Sequence, residues 1–507
     1  LTSNFDVVLF SPNIEGARLL GVYSLASHLR QNDISVKTIW NWYSTFPEFY
    51  AICKKVLSPS VLVIGVSSTL LNFPRIINDY DRPESFFYYD KDELKKRIDL
   101  MRKFAPNAKF VIGGSQISIS PEGAHSMGLE LFDIVVKGQG EESLLAIVQS
   151  LKGGQRFRTE SITPPVVSDK IYPYDSFNQS NVMFTKDDNI INGEALPIEF
   201  SRGCMFKCSF CAYPLTNKSR DEYTRSFDIL REELIYNYNE FGVTNYFVSD
   251  DLLNDSMEKV DDICRLADSL PFKLQYSAYV RLDLIRRFPT MADKLRDSGL
   301  VSCYFGVETI NDRSGKAVGK GLGRVRTDEA VDILDKSWKQ SVLITVGMIL
   351  GLPYDNTDTV HELLEWAQTD IVSRTFKNIN PLPLIIHPKR SVSSIEIDNE
   401  KYGYDLSKPL LAHGRADWVT KNYSYQQAAK DADYFKEQYF KQYKFREIIA
   451  WGNLPYYLAL CDNPADILDV CLHDRSNRWS SDQEFLQYVN SLETQHKKRY
   501  FDSLIKG

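Results

Sequence analysis

The feature that most constrains this chain is an alternation of short Val- and Ile-rich runs with helical patterns. "DVVLF" (6–10), "SVKTIW" (35–40), "VLVIGVSS" (61–68), "KFVIGG" (109–114) and "DIVVKG" (133–138) come first. Stretches such as "GARLLGVYSLASHLRQ" (16–31) and "EESLLAIVQSLK" (141–152) separate them with apolar residues at helical spacing. Continuous apolar strands joined by helices make a parallel sheet covered on both faces. The first 155 residues therefore read as an α/β doubly wound, Rossmann-like domain, whose ligands bind at the carboxyl ends of the strands. Those ends carry Ser67, Ser68, Gly113, Gly114, Ser115, Gly138 and Gly140. Small residues there let a backbone approach a large ligand, and they serve equally in tight strand-to-helix turns. The span 70–97 exceeds an ordinary connection and holds an aromatic cluster, as functional loops or contact surfaces do.

Residues 156–195 are polar and proline-dotted and read as a linker. A second alternation follows: "PIEFSRG" (197–203), "TNYFVSDD" (244–251), "KLQYSAYVR" (273–281), "VSCYFGVET" (301–309), "LITVGMILG" (343–351) and "NINPLPLIIH" (378–387), with helical stretches at 225–241, 256–269, 288–298 and 327–340. Six strands with helices between them predict a partial (β/α)6 TIM-type barrel over 196–395. Along 273–281, Gln275, Ser277, Tyr279 and Arg281 share one face and Leu274, Tyr276 and Ala278 the other. A polar face on a buried strand looks into a cavity or ligand, because unpaired buried polar groups are costly. On the next strand Tyr304, Gly306 and Glu308 share a face, and Cys303 points into the core. Residues 396–507 form a mostly helical, aromatic C-terminal region.

A length of 507 residues implies roughly three domains. The net charge of -7 argues against a broad nucleic-acid-binding face. No apolar run reaches the ~18 residues of a membrane span, and "LTSNFDVVLFSPN" has no signal-peptide pattern. Of eight cysteines, Cys53, Cys264, Cys303, Cys461 and Cys471 are scattered, unlike a secreted disulfide framework, so the expectation is a reducing, cytoplasmic setting.

The other three, Cys204, Cys208 and Cys211, lie within eight residues in "SRGCMFKCSFCAYP" (201–214). A structural zinc site wants four ligands, and no Cys or His pair stands nearby; the seven histidines are scattered at 28, 125, 361, 387, 413, 473 and 496. A disulfide would use two of the three thiols, and a ferredoxin-type cluster needs a fourth. An iron–sulfur cluster on three thiolates leaves one iron open to a substrate or cofactor.

With this C-x3-C-x2-C loop at the end of a strand opening a barrel, the sequence resembles the radical S-adenosylmethionine (AdoMet) superfamily. The resemblance implies a 4Fe-4S cluster on Cys204, Cys208 and Cys211, with AdoMet chelated to the open iron and cleaved reductively to methionine and a 5′-deoxyadenosyl radical. It puts Phe210 near the adenine, and Ser249, Asp250 and Asp251 ("FVSDD") where the family carries a Gly-Gly-Glu-like contact to the AdoMet amino group. Glu308 matches the acidic ribose contact, and Arg281 suits the AdoMet carboxylate. Gly347, Ile349 and Gly351 match a G-x-I-x-G-x-x-E adenine segment in which Tyr354 replaces the glutamate.

A doubly wound domain ahead of the barrel, with "FSPN", "IGGSQISISPE" (112–122) and "VKGQGEESL" (137–145), resembles the cobalamin-binding class of that superfamily. The resemblance implies cobalamin over the barrel mouth, contacts from Ser67, Ser68, Gly113, Gly114, Gly138 and Gly140, and methylation of an unactivated carbon. The D-x-H-x-x-G lower-ligand motif is absent, as in many members, and a sheet kept for substrate or partner contacts is the alternative. Another hydrogen-abstraction reaction, such as cyclisation or rearrangement, is the second reading. Methylthiotransferases carry more cysteines in the N-terminal domain than Cys53 supplies, and C-terminal auxiliary clusters need more than Cys461 and Cys471. An iron–sulfur regulator would not need Glu308, Arg281 and the Gly347–Gly351 segment. Tyr279, Tyr304 and His387 are candidates to act on a small-molecule or peptide substrate, and the chemistry implies a reductant such as flavodoxin or ferredoxin.

Overall fold

The computed structural model describes residues 5–11, 18–40, 44–68, 91–115, 117, 128–212, 219–390, 392–411, 415–442, 448–473 and 478–506. They divide into two compact units: Leu1–Asn192 with Asn239–Phe241 and Thr494–Gly507, and Gly193–Tyr238 with Gly242–Glu493. Most of the span 70–97, along with Pro12, Asn13, His125 and His413, lies outside the described residues.

In the first unit each of the five expected runs is a strand: β1 (Val7–Phe10), β2 (Val36–Ile39), β3 (Val63–Ser67), β4 (Lys109–Gly113) and β5 (Ile134–Lys137). With β6 (Ser161–Ile162) and β7 (Pro165–Ser168) the sheet runs β2-β1-β3-β4-β5-β7-β6, parallel except for β6. Strand periodicity sorts the side chains onto two apolar faces. Val8, Phe10, Ile64, Phe110 and Ile112 join one buried cluster, while Val7, Leu9, Val63, Val111 and Val136 join another. Helices Leu20–Gln31, Phe46–Val56, Lys91–Phe104 and Glu141–Leu151 supply the covering layers of this doubly wound arrangement.

The stretch read as a linker over 156–195 is partly built into this unit. β7 pairs with β5, and further along Asp188 is fully buried. Its carboxylate accepts two bonds from Arg30 (2.9 and 2.8 Å) and one from Thr38 Oγ1 (2.7 Å). A four-residue strand beside prolines carries too few alternations to be read from periodicity.

The second unit holds β8 (Leu196–Ile198), β9 (Asn245–Val248), β10 (Gln275–Val280), β11 (Leu300–Glu308), β12 (Leu343–Leu350) and β13 (Asn378–Pro383). All pair in parallel and in chain order, with β8 and β13 as the two edges, which makes a partial barrel. Cys303 is fully buried on the outward, helix-facing side. Helices Leu454–Leu460 and Ala465–His473 pack with the start of Asp482–Lys506 through Tyr456, Tyr457, Ile467, Val470, Phe485 and Val489. Cys471 is buried in that cluster and Cys461 is packed against it, as structural cysteines are. Among the described residues, no helix is long and apolar enough to cross a membrane.

Candidate active site

Immediately after β8 the chain turns into the cysteine loop. Cys204, Cys208 and Cys211 are all free and half-buried. The loop is held by backbone: Cys211 N–H donates to Cys208 C=O (3.0 Å), Ser209 N–H to Val318 C=O (2.9 Å), and Ile395 N–H to Ser209 C=O (2.9 Å). Arg281, just past β10, faces it. Its Nη1 lies 3.6 Å from Cys208 Sγ, and its guanidinium stacks 3.8 Å from the centre of the Phe206 ring. The rest of its fork is bidentate to Asp283, at 2.8 Å on each arm. Burial pushes the Cys204 thiol up, opposed by the Phe206 N–H and by Arg281. Among the described residues, no group of three His, Cys, Asp or Glu side chains is gathered closely enough to grip a single metal ion. Three accessible thiols on one braced loop, one of them facing a guanidinium, fit a multi-iron cluster better than a mononuclear site.

Of the Ser249–Asp251 trio, the structure spends Asp250 on the fold. It is buried, accepts from Phe200 N–H (2.7 Å) and Ser201 Oγ (2.6 Å), and pairs with buried Lys259 (2.9 Å). It therefore braces the entry to the cysteine loop. Ser249 is half-buried, and its N–H donates to Ile198 C=O (2.7 Å). Asp251 is the open carboxylate; burial, then Asp250 and Glu199, push it up to about 6 against the Gly203 N–H.

Glu308 ends β11 at φ +68, after a register irregularity between Gly306 and Glu308. A left-handed backbone at a non-glycine residue aims the carboxylate deliberately. Lys320 Nζ donates to its Oε1 at 2.8 Å and lies 5.9 Å from the Phe210 ring centre. Burial opposes the Lys320 charge, but Glu308 and then Cys208 outweigh it and raise the ammonium's value. Sequence reading missed Lys320; the signal available was its place in the run "GKGLG" (319–323).

Gly347 faces Gly306 across β11 and β12, and a Cβ on it would overlap the Tyr304 hydroxyl. The glycine therefore makes room for Tyr304. Ile349 is half-buried on the same strand. Gly351 turns at φ +98 beneath Trp418, and its N–H donates to Asp355 (3.0 Å). Asp355 also accepts from Leu352 N–H (3.0 Å) and Ser314 Oγ (2.9 Å), and burial drives its carboxyl up to about 7. The carboxylate absent at Tyr354 thus stands one residue later and secures the turn.

Tyr279 is 39% exposed although it sits on a central strand, as expected of a side chain facing an internal space. Its ring packs on Tyr304 (5.4 Å) and Trp451 (4.7 Å), and Trp451 also meets Tyr304 (5.7 Å) and Phe247 (5.9 Å). Ser302 Oγ holds the Trp451 carbonyl (2.6 Å). No local pattern announced Trp451, because it arrives 149 residues after Ser302 in the chain. His387 is buried beyond β13, where its N–H donates to Glu396 (3.1 Å).

In the first unit, Ser67, Ser68, Gly113, Gly114, Gly138 and Gly140 do lie at the carboxyl ends of β3, β4 and β5. Gly114 is exposed, and the buried Ser68 hydroxyl has no partner among the described residues. An orphaned hydroxyl beside an open glycine edge fits the amides of a large polar ligand such as cobalamin. Gly138 has a second reason to be glycine: at φ +72, a Cβ would strike the Asp169 carboxylate that accepts the Gln139 N–H.

Residues 198–367 match the family model described as Radical SAM superfamily. An uncharacterized methyltransferase of Pyrococcus horikoshii is 24% identical over 381 residues, 72% of this chain and 76% of the relative. Bacteriochlorophyllide d C-8(2)-methyltransferase of Chlorobaculum tepidum is 24% identical over 343 residues, 63% of this chain and 72% of its own. The fold resembles that of the radical S-adenosylmethionine methyltransferase TsrM from Kitasatospora setae, solved with cobalamin and a 4Fe-4S cluster. There the TM-score is 0.62 at 14% identity, covering 97% of this chain and 99% of that one. Residues 198–367 thus carry the match to the radical SAM superfamily, and the chain is similar over most of its length to proteins named as methyltransferases.

Proposed function

We propose that this enzyme is a cobalamin-dependent methyltransferase acting on an unactivated carbon of a small-molecule or peptide substrate. The observation that carries the AdoMet half is the convergence of Arg281 and the Lys320–Glu308 pair on the cysteine loop. The doubly wound first unit, and relatives named as methyltransferases, favour methyl transfer over other hydrogen-abstraction chemistry.

Cys204, Cys208 and Cys211 would hold the cluster, which supplies an open iron and the electron that cleaves AdoMet. Asp251, ionised above about 6, offers a carboxylate to the AdoMet ammonium. Arg281 presents N–H groups beside the loop for the AdoMet carboxylate, and Asp283 fixes the plane of its fork. Glu308 would take a ribose hydroxyl, and Phe210, Gly347, Ile349 and Gly351 would hold the adenine. Ser67, Ser68, Gly113, Gly114, Gly138 and Gly140, at the carboxyl edge of β3–β5, would hold cobalamin, which would supply the methyl group. Tyr279 and Tyr304 border the space in which a substrate carbon would be presented, and His387 stands farther along the same sheet edge. A protein reductant such as flavodoxin or ferredoxin completes the electron supply. Eight free cysteines suit a reducing, cytoplasmic setting.

Anaerobic reconstitution with iron, sulfide and cobalamin, followed by desalting and metal analysis, tests this reading. It expects about four irons per chain together with stoichiometric cobalt. Four irons with no retained cobalt would favour a cyclisation or rearrangement enzyme whose first unit serves other contacts.

A further inference from the structure

The inference concerns Lys320, and it rests on the AdoMet reading above. The loop that carries it is tied to both parts of the site. Val318 C=O accepts the Ser209 N–H from between Cys208 and Cys211, and Lys320 N–H returns to Gly315 C=O at 3.0 Å. From this strut the side chain reaches Glu308 Oε1 at 2.8 Å and sits over the Phe210 ring at 5.9 Å. Both partners are largely withdrawn from water, at 15% and 12% exposure. That seclusion makes the bond stronger than a surface ion pair.

Gly306 is part of the same arrangement. A Cβ there would overlap Glu308 Oε1 and lie 2.7 Å from Lys320 Nζ. The strand thus gives up a side chain so that lysine and glutamate can meet against it. The left-handed backbone at Glu308 limits where its carboxylate can go. One oxygen is occupied by Lys320, and a carboxylate has acceptor capacity left on the other.

We propose that Lys320 is the positioning residue for Glu308: it holds Oε1 so that Oε2 is presented to the ribose hydroxyls of AdoMet. Without the ammonium, the glutamate would rotate away, and the ribose would lose its acceptor while the cysteines kept their cluster. Lys320 acts through Glu308, and no step of the chemistry passes through it.

The test uses the full-length reconstituted protein and two ligands: AdoMet, and an AdoMet analogue lacking the 2′ and 3′ hydroxyls. For Lys320→Met, iron content and the visible spectrum should match wild type, while AdoMet affinity falls about tenfold or more, the usual consequence of losing a charge-assisted bond. Wild type should discriminate AdoMet from the analogue, and Lys320→Met should bind both alike. Gly306→Ala, which crowds the pair without removing either charge, should show the same loss of discrimination. Unchanged discrimination in Lys320→Met overturns the proposal, and so does a loss of iron in either variant, which would make the lysine a brace for the cysteine loop. Wild type that holds four irons yet binds neither ligand would overturn the AdoMet reading and this proposal with it.

Discussion

At the scale of single residues, the proposed ligand groups stand beside residues that hold the fold. Cys204, Cys208 and Cys211 place three half-buried thiols on one loop, so replacing any of them with alanine should abolish cluster assembly and leave the chain folded. Iron analysis with a circular dichroism melt checks both halves, and a variant that keeps its full iron complement would contradict the assignment. Asp355 shows the opposite behaviour. Burial raises its carboxyl from 3.8 to about 7, so between those values the folded protein holds a proton that the unfolded chain releases. The stability it contributes is fully present below pH 4 and is lost as pH rises through about 7, at ~1.4 kcal/mol per unit. Asp355→Asn should flatten that part of the stability profile in urea titrations at several pH values; an unchanged slope would mean that the carboxyl is ionised throughout. Strand parity and the cysteine spacing put Glu308, Arg281 and the cysteine loop at strand ends, where the structure has them; their roles come from the resemblance. Lys320, Asp355 and Trp451 were not legible, because a cation on a glycine loop, an acid displaced by one residue and a tryptophan from a remote segment have no local period.

At the scale of elements, all eleven apolar runs read from the sequence are strands. Buried parallel strands are continuous in Val and Ile, and the helices between them keep a clear amphipathic spacing. The hairpin at 161–168 escaped because each strand is short and prolines interrupt it. Twenty residues further on, Asp188 is fully buried at the β2 edge of the same sheet. Asp188→Ala would strand the Arg30 guanidinium and the Thr38 hydroxyl around an emptied buried site. The expected loss is about 3–5 kcal/mol, read as a lower urea midpoint. A shift within error would show that water replaces the carboxylate. In the second unit, Trp451 fills the space between Phe247, Tyr279 and Tyr304. Trp451→Ala should cost about 3–5 kcal/mol while leaving cluster assembly intact. Iron loss in that variant would instead tie the aromatic cluster to the cysteine loop.

At the scale of the whole molecule, two parallel sheets each bring the carboxyl ends of their strands to one edge, and the chemistry-bearing residues gather there in both. In the first unit that edge offers glycines, a serine hydroxyl without a described partner and no histidine ligand motif. In the second it offers thiols, a guanidinium and two carboxylates. The two parallel sheets were legible from the double alternation of apolar runs and helical patterns. Substrate choice was not, since the space beside Tyr279 and Tyr304 is also bordered by Trp451, which comes from the distant C-terminal region. The measurement that bears most directly on the central claim is the yield of 5′-deoxyadenosine and methionine from AdoMet under a low-potential reductant, for the reconstituted protein and for its Cys208→Ser variant. Wild type should release both products in equal amounts, and the variant only background levels. Wild type carrying its full cluster yet releasing no 5′-deoxyadenosine, or a variant that still releases it, would contradict the account.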